Sequence, residues 1–383
     1  MAERAPGRRG ARGDVRSSRP QSSVDAARSA ASEVLVAVDT DDAYANLLLP
    51  RVISRMQLSA RDAAFATELT YSTLRFRGQL DAIIEKAAGR KAADIDVFSL
   101  NSLRLGACQL LHLRTPAHAA ISTSVDLARR HRQSASGFVN AVLRAIETKN
   151  LEEWLGDIAD GESEADRLSV RYSHPRWMVA ALRDALVAAG RSADELGELL
   201  AADNNPARPM LVARPGVCSV SELHAPARDD GPDPEPSRRE QQAGRWSPHA
   251  IEAPPGDPGR MDAIRAGRAA VQDEGSQLVA LLAAAVPIEG RDEVWLDGCA
   301  GPGGKAGLLA ALASSRNARL YAIDVSPHRS ELVSATCRPF SNVQVHVGDM
   351  ATVANEPWFP AGGFDRILID VPCTGMGALR RRP

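Results

Sequence analysis

Between residues 26 and 148 apolar positions recur every three to four residues. In "LNSLRLGACQLLHL", Leu100, Leu103, Ala107, Leu110 and Leu111 share one helical face, and "HAAISTSVDLARR" repeats the pattern with Ile121, Val125 and Ala128. Nothing here alternates with period two for long. The pattern predicts an all-α domain over 26–150, with Asp94 and Ser99 as plausible N-caps. "YSHPRWMVAALRDAL" predicts a further helix with Pro175 near its first turn. "LGELLAADN" reads as a short helix and "RPMLVARPG" as a strand. Eight prolines and many charges make 224–259 a long loop or insertion. It lies in a connecting segment, 151–270, of helices and a small α+β part, and a helix follows from about Gly275.

From Glu293 the pattern changes. "EVWLD", "RLYAIDV", "VQVHVGD" and "FDRILIDVP" are short, nearly continuous apolar runs, and "GKAGLLAALAS" and "HRSELVSATCR" are helical stretches. Strands that alternate with helices in this way predict a doubly wound parallel sheet, a Rossmann-like α/β domain over 271–383. The first 24 residues carry few apolar side chains, so 1–25 is expected to be a disordered basic tail.

With 383 residues, 44% of them hydrophobic, the chain can fill two or three domain cores. Its five cysteines show no C-x-x-C or Cys/His metal spacing, which argues against a disulfide framework and against a metal and suits a reducing, cytoplasmic setting. No apolar run approaches the roughly 20 residues of a membrane span. The net charge of −2 hides an uneven distribution. Residues 101–150 hold seven Lys/Arg against Asp126 and Glu147, and residues 151–166 hold seven acids and no base. A basic block within a folded region is a candidate nucleic-acid footprint, with Arg129, Arg130 and Arg132 as the phosphate contacts. A solvated helix face is the plainer alternative.

The candidate chemistry lies in "LDGCAGPGGKAG", residues 296–307, which joins the first apolar run to the first helix. A helix N-terminus there offers free N–H groups, and the glycines admit a ligand close to the backbone. A phosphate-binding P-loop fails, because Ala306 stands where a hydroxyl is needed. A dinucleotide fingerprint half fits through Gly301, Gly303 and Ala306, with Asp324 closing the second strand. A loop that holds the methionine moiety of S-adenosylmethionine is the third reading. Asp324 would accept the ribose hydroxyls in either nucleotide reading, or else cap the next helix. Asp349 closes the third strand beside the adenine, or serves only as a turn residue. Asp370 and Cys373 in "DVPCTG" follow the fourth strand over the same crevice, where they suit pyrimidine chemistry better than hydride transfer. Cys299 reads as packing, and Cys108 and Cys337 as core.

Together, "WLDGCAGPGGKAG", "AIDVSPHR", "VGD" and "ILIDVPCTGMGALRRRP" resemble the Sun/RsmB-type ribosomal RNA cytosine-5 methyltransferases. "AHAAISTSVDLARR" and "SGFVNAVLRAI" resemble the NusB-like helical domain of those enzymes, and "RYSHPRWMV" and "VQDEGSQLVA" their connecting segments. The resemblance spans about residues 30–383. It implies that the loop of Cys299, Ala300, Gly301, Pro302, Gly303, Gly304 and Lys305, with Asp324, Asp349 and Asp370, binds S-adenosylmethionine. It also implies ribosomal RNA of the 16S type as substrate and a helical domain that grips RNA; no membrane or metal partner is expected, and the chain is expected to be a monomer.

Cytosine C5 accepts a methyl group only after a thiolate adds to C6, and the base must be unpaired or flipped out to be reached. Asp370 would hydrogen-bond the base edge. The resemblance gives Cys373 the part of releasing the product, and it places the attacking cysteine in a Thr-Cys motif that does not occur before Pro383. The chain therefore reads as a C-terminally truncated, inactive fragment. Two positions depart from the family: Gly301 stands for a usual alanine and Gly298 for a usual apolar residue. The alternative from another class is a non-catalytic NusB-type RNA-binding protein with a vestigial cofactor domain. A nicotinamide oxidoreductase would make Pro302, Lys305 and the Pro-Cys pair coincidences.

Overall fold

A computed structural model describes residues 25–113, 115–206, 208–224, 241–254, 256–373, 375–376 and 379. They form two compact units that divide after Asn204. The expected tail, residues 1–25, lies almost wholly outside the described residues.

The first unit is helical: α1 (Ala26–Asp41), α2 (Ala45–Arg55), α3 (Ala60–Arg75), α4 (Arg77–Ala88), α5 (Val97–Leu111), α6 (Ala117–His131), α7 (Ala135–Glu147), α8 (Leu151–Ala159), α9 (Glu164–Tyr172), α10 (Arg176–Ala188) and α11 (Leu196–Asp203). Helix α5 is the core element, buried continuously from Ser99 to Gln109. Its Gly106 lets α7 approach, since a Cβ there would lie 2.6 Å from the Leu143 methyls. The N-cap of α5 is Asp96, not Asp94 or Ser99. Its carboxylate accepts the Ser99 N–H at 3.0 Å, the spacing of a cap to the third helical residue. Asp94 instead closes a 3-10 turn, Ala92–Asp94.

One buried cation crosses this core. Arg104 is 4% exposed and binds Asp39 of α1 at 2.6 Å and Asp81 of α4 at 2.6 and 2.7 Å. Asn101 donates to the same Asp39 at 2.9 Å. Arg104 thus leaves the basic block of 101–150 and serves folding. Arg129 pairs with Asp126, Arg144 with Glu147 and Lys149 with Asp157, while Arg129, Arg130 and Arg132 remain exposed around the end of α6.

The segment 151–270, expected as one connecting region, is divided. Helices α8 to α11 belong to the first unit; Trp154 of α8, for example, donates to Ile146 O at 3.0 Å. The second unit opens with an antiparallel sheet in the order β2-β1-β3, made of β1 (Met210–Ala213), β2 (Ala250–Glu252) and β3 (Ala269–Val271), with helix α12 (Asp262–Arg265) between the last two. The loop expected over 224–259 therefore contains a strand, in which Ala250 and Ile251 are buried against β1. Three residues are too few for a period to show. Residues 225–240 and 255 lie outside the described residues.

Helix α13 (Glu274–Ala285) leads into β4 (Val294–Asp297), α14 (Gly304–Ser314), β5 (Arg319–Asp324), α15 (Pro327–Cys337), β6 (Val343–Val347) and β7 (Arg366–Leu368). These strands form a parallel sheet in the order β6-β5-β4-β7. Trp295 and Leu320 face α13 and α14, and Ala322 faces α15. On the other face Leu296, Tyr321 and Ile323 pack under Met350, Trp358, Phe359 and Phe364. The fully buried Arg214, just past β1, ties the small sheet to this body by donating to Gly267 O and to Thr336 O at 2.7 Å. The run "ILID" is apolar throughout, as a central strand would be, yet among the described residues it lies at the sheet edge, with Ile367, Ile369 and Val371 exposed. No described helix is long and apolar enough to cross a membrane.

Arg104→Met should destabilise the helical unit by about 3 kcal/mol, because it leaves the largely buried Asp81 without its cation and Asp39 with Arg77 alone, at 2.8 Å. Urea unfolding followed by circular dichroism measures this, and a loss below about 1 kcal/mol would show that the pair is screened like a surface bridge.

Candidate active site

In the sheet order β6-β5-β4-β7, the chain leaves β4 towards one side and returns to place β7 on the other. The carboxyl ends of β4 and β7 therefore flank a switch point, where open α/β sheets bind ligands. The loop after β4 is shaped by its own hydrogen bonds: Ala300 N donates to Ile323 O at 2.8 Å and Gly303 N to Ala300 O at 2.7 Å. Gly303 turns the chain into α14 with a φ of 109°, and a Cβ there would lie 2.8 Å from Thr336. Helix α14 starts without a side-chain cap, so its first N–H groups stay available at the crevice.

Asp324, at the end of β5, is 4% exposed. One carboxylate oxygen accepts the Gly301 N–H at 3.0 Å and the other the Ser326 N–H at 2.9 Å. Arg329 lies 3.5 Å from the first oxygen and donates to Gly301 O. The sequence pattern aims Asp324 at a ribose; in the structure its foremost work is to fix the loop. A carboxylate has about four lone-pair sites, so acceptor capacity remains for a hydroxyl. The cap of α15 falls to Ser326, whose hydroxyl accepts the Arg329 N–H. Asp349 is exposed and turns back on the Ala351 N–H at 2.9 Å. Asp370 reaches across the switch point to Lys305 Nζ at 2.7 Å. Cys373 is exposed at the exit of β7. Cys299 is half-buried, and burial, then Asp297, Asp324 and Asp370, push its thiol above the usual range, which disfavours the thiolate that would attack a base.

The two departures at glycine have a packing reason. A Cβ at Gly301 would lie 2.5 Å from the Asp324 carboxylate and 2.7 Å from Arg329, and one at Gly298 would lie 2.5 Å from Ile369 and 2.8 Å from the Met350 sulfur.

Two residues escaped sequence reasoning. Arg329 carries no signal beyond its place in the first turn after Asp324. Asp297 was visible as the last letter of "VWLD" but reads there as a strand end. It is 1% exposed, one of its oxygens has no partner, and burial pushes its pKa up to about 7, with Lys305 opposing.

A parallel sheet with a glycine loop at the switch point, set after a helical unit, is the build of a Rossmann-like methyltransferase that carries a NusB-type domain. The comparisons agree with this class. Residues 25–148 match the NusB family and residues 286–383 match the family described as 16S rRNA methyltransferase RsmB/F. The chain belongs to the RsmB/F family. The Mycobacterium tuberculosis protein Rv1407 is 45% identical over 363 residues, 94% of this chain and 75% of that one. The ribosomal RNA small subunit methyltransferase B of Pseudomonas syringae is 31% identical, over 93% of this chain and 74% of its own length. The crystal structure of PH0851 shares the fold with a TM-score of 0.67 at 18% identity, covering 93% of this chain and 76% of that one.

The buried acid has a measurable consequence. The folded pKa of Asp297 lies near 7 and its unfolded value near 3.8, so the folded state holds the proton more tightly. The stability this confers is complete below pH 4 and is lost as pH rises through 7. Its size is of the order of 4 kcal/mol. In urea unfolding followed by Trp fluorescence, wild type should lose stability between pH 5 and pH 8 relative to Asp297→Asn. Parallel pH profiles would contradict the assignment.

Proposed function

We propose that the second unit binds S-adenosylmethionine at the β4/β7 switch point and directs its methyl group to C5 of a cytosine in small-subunit ribosomal RNA, while the helical unit holds the RNA. The observation that carries this reading is the loop after β4. It is held from one side by Asp324 and spanned by the Lys305–Asp370 pair, and it presents an uncapped helix start to the crevice. No hydroxyl occupies position 306 to hold a metal-bound phosphate, so the loop suits an amino-acid moiety better than a triphosphate. The orphaned oxygen of Asp297 adds an acceptor beneath it. The names of the relatives point the same way.

S-adenosylmethionine, when bound, supplies an electrophilic methyl group on a sulfonium. The chain's own residues hold the cofactor, place the base and take up its proton, while the thiolate that must first add to C6 is neither Cys299 nor Cys373. Asp324 keeps acceptor capacity for the ribose hydroxyls, and Asp349 flanks the adenine. Asp370, fixed by Lys305, presents a carboxylate to the edge of the target base. Cys373 stands exposed at the exit of β7, where it takes the C5 proton so that the product is released. Cys299 serves the loop. Exposed Arg129, Arg130 and Arg132 around the end of α6 contact phosphates, which adds salt-dependent affinity without reading sequence.

Titration calorimetry decides the cofactor. S-adenosylmethionine and S-adenosylhomocysteine should bind with one site per chain and NAD should not displace them. Tighter binding of NAD would overturn the reading in favour of hydride chemistry.

A further inference from the structure

Gln272 lies between β3 and α13. Its backbone is fixed on both sides: the N–H donates to Met210 O at 2.9 Å, and the carbonyl accepts from Gln277 Nε2 at 3.0 Å. Its side chain is 6% exposed, yet neither Oε1 nor Nε2 has a partner. Buried amides are nearly always paired at both ends, so one left open on a rigid backbone asks for a missing partner.

Its surroundings say what that partner is. The carboxamide carbon lies 3.9 Å from where a side chain on Gly304 would begin, so the amide faces the bare first residue of α14. Arg316, just past the end of α14, donates to Ala284 O near the end of α13 at 2.8 Å. The two helices therefore end together and begin together, both at the carboxyl edge of the sheet. Helix α14 has eleven residues and no side-chain cap, so its first N–H groups favour an anion there. Lys305, which could have met that anion, is held by Asp370. The subsite thus offers backbone donors, one amide donor and one amide acceptor.

We propose that Gln272 is a ligand-contacting residue of the cofactor site and receives the amino-acid end of the methionine moiety. Its Nε2 donates to the carboxylate, which also rests on the N–H groups of α14, and its Oε1 accepts from the ammonium. The proposal rests on the S-adenosylmethionine reading and adds to it a residue from outside the α/β strands and their loops.

The test compares two ligands by titration calorimetry on the full chain. S-adenosylhomocysteine carries the amino-acid end; 5′-methylthioadenosine keeps the nucleoside and sulfur but lacks it. Gln272→Leu should weaken S-adenosylhomocysteine about tenfold or more and leave methylthioadenosine within about twofold. Gln272→Glu, which keeps the size and adds a negative charge, should weaken S-adenosylhomocysteine further and again spare methylthioadenosine. Both variants keep the main-chain bonds that hold the segment, and an unchanged melting curve checks this. Equal losses for both ligands would overturn the proposal and make Gln272 a shaping residue. No loss for either would show that its amide is satisfied elsewhere. If wild type binds methylthioadenosine and S-adenosylhomocysteine equally, the amino-acid subsite is absent while the nucleoside reading stands; if it binds neither, the cofactor reading itself fails.

Discussion

The carboxylate of Asp324 is the contact on which the rest of the site depends. It ends β5 and reaches back to the loop after β4, so a side chain extends the tie between these two paired strands beyond the Ala300 N–H bond to Ile323 O. Glycine at 301 is what permits this approach, because any side chain there would meet the carboxylate and Arg329. Once the loop is fixed, α14 must begin at Gly304 with its N–H groups towards the crevice, and Lys305 falls within reach of Asp370. Burial makes the arrangement stiff. Charge-assisted hydrogen bonds are about twice as strong as neutral ones, and little water competes at a side chain so nearly enclosed.

The two units handle buried charge in opposite ways. In the helical unit Arg104 is matched by Asp39 and Asp81, and Asn101 adds a further donor. At the β4 end Asp297 keeps one oxygen unpaired, with Asp370 and Asp324 near enough to raise its pKa further. A carboxyl held in that state lowers stability at neutral pH and gains only where a bound group supplies a positive charge or a donor. Local disagreement between what folding favours and what the sequence provides marks functional sites. The orphaned amide of Gln272 is a second instance at the same edge.

Much of this organisation could be read from residue pattern. The 3.6-residue spacing of Leu100, Leu103, Ala107, Leu110 and Leu111 marks α5, and the continuous apolar runs at 294–296 and 320–323 mark the two inner strands of the parallel sheet. Strands β2 and β3 were illegible because three residues carry no period, and their burial depends on pairing with β1 from 37 or more residues away. The placing of α8 to α11 was illegible for another reason: amphipathic spacing says that a face is buried, not against what. At the site, the glycine loop, Lys305 and the three acids could be named from their order along the chain. Their partners could not. Whether Asp324 meets a ligand or Gly301, and whether Asp297 ends a strand or sits unpaired beneath a loop, depends on distances across the sheet.

If the crevice is held as described, a ligand that fills it should quiet the backbone around it and leave the helical unit unchanged. Amide hydrogen exchange with and without saturating S-adenosylhomocysteine measures this residue by residue. Slower exchange is expected in the first turn of α14, at Gly301 and at Ser326, with no change in α1 to α7. Protection confined to the helical unit, or none at the loop after β4 in a sample that binds the ligand, would contradict it.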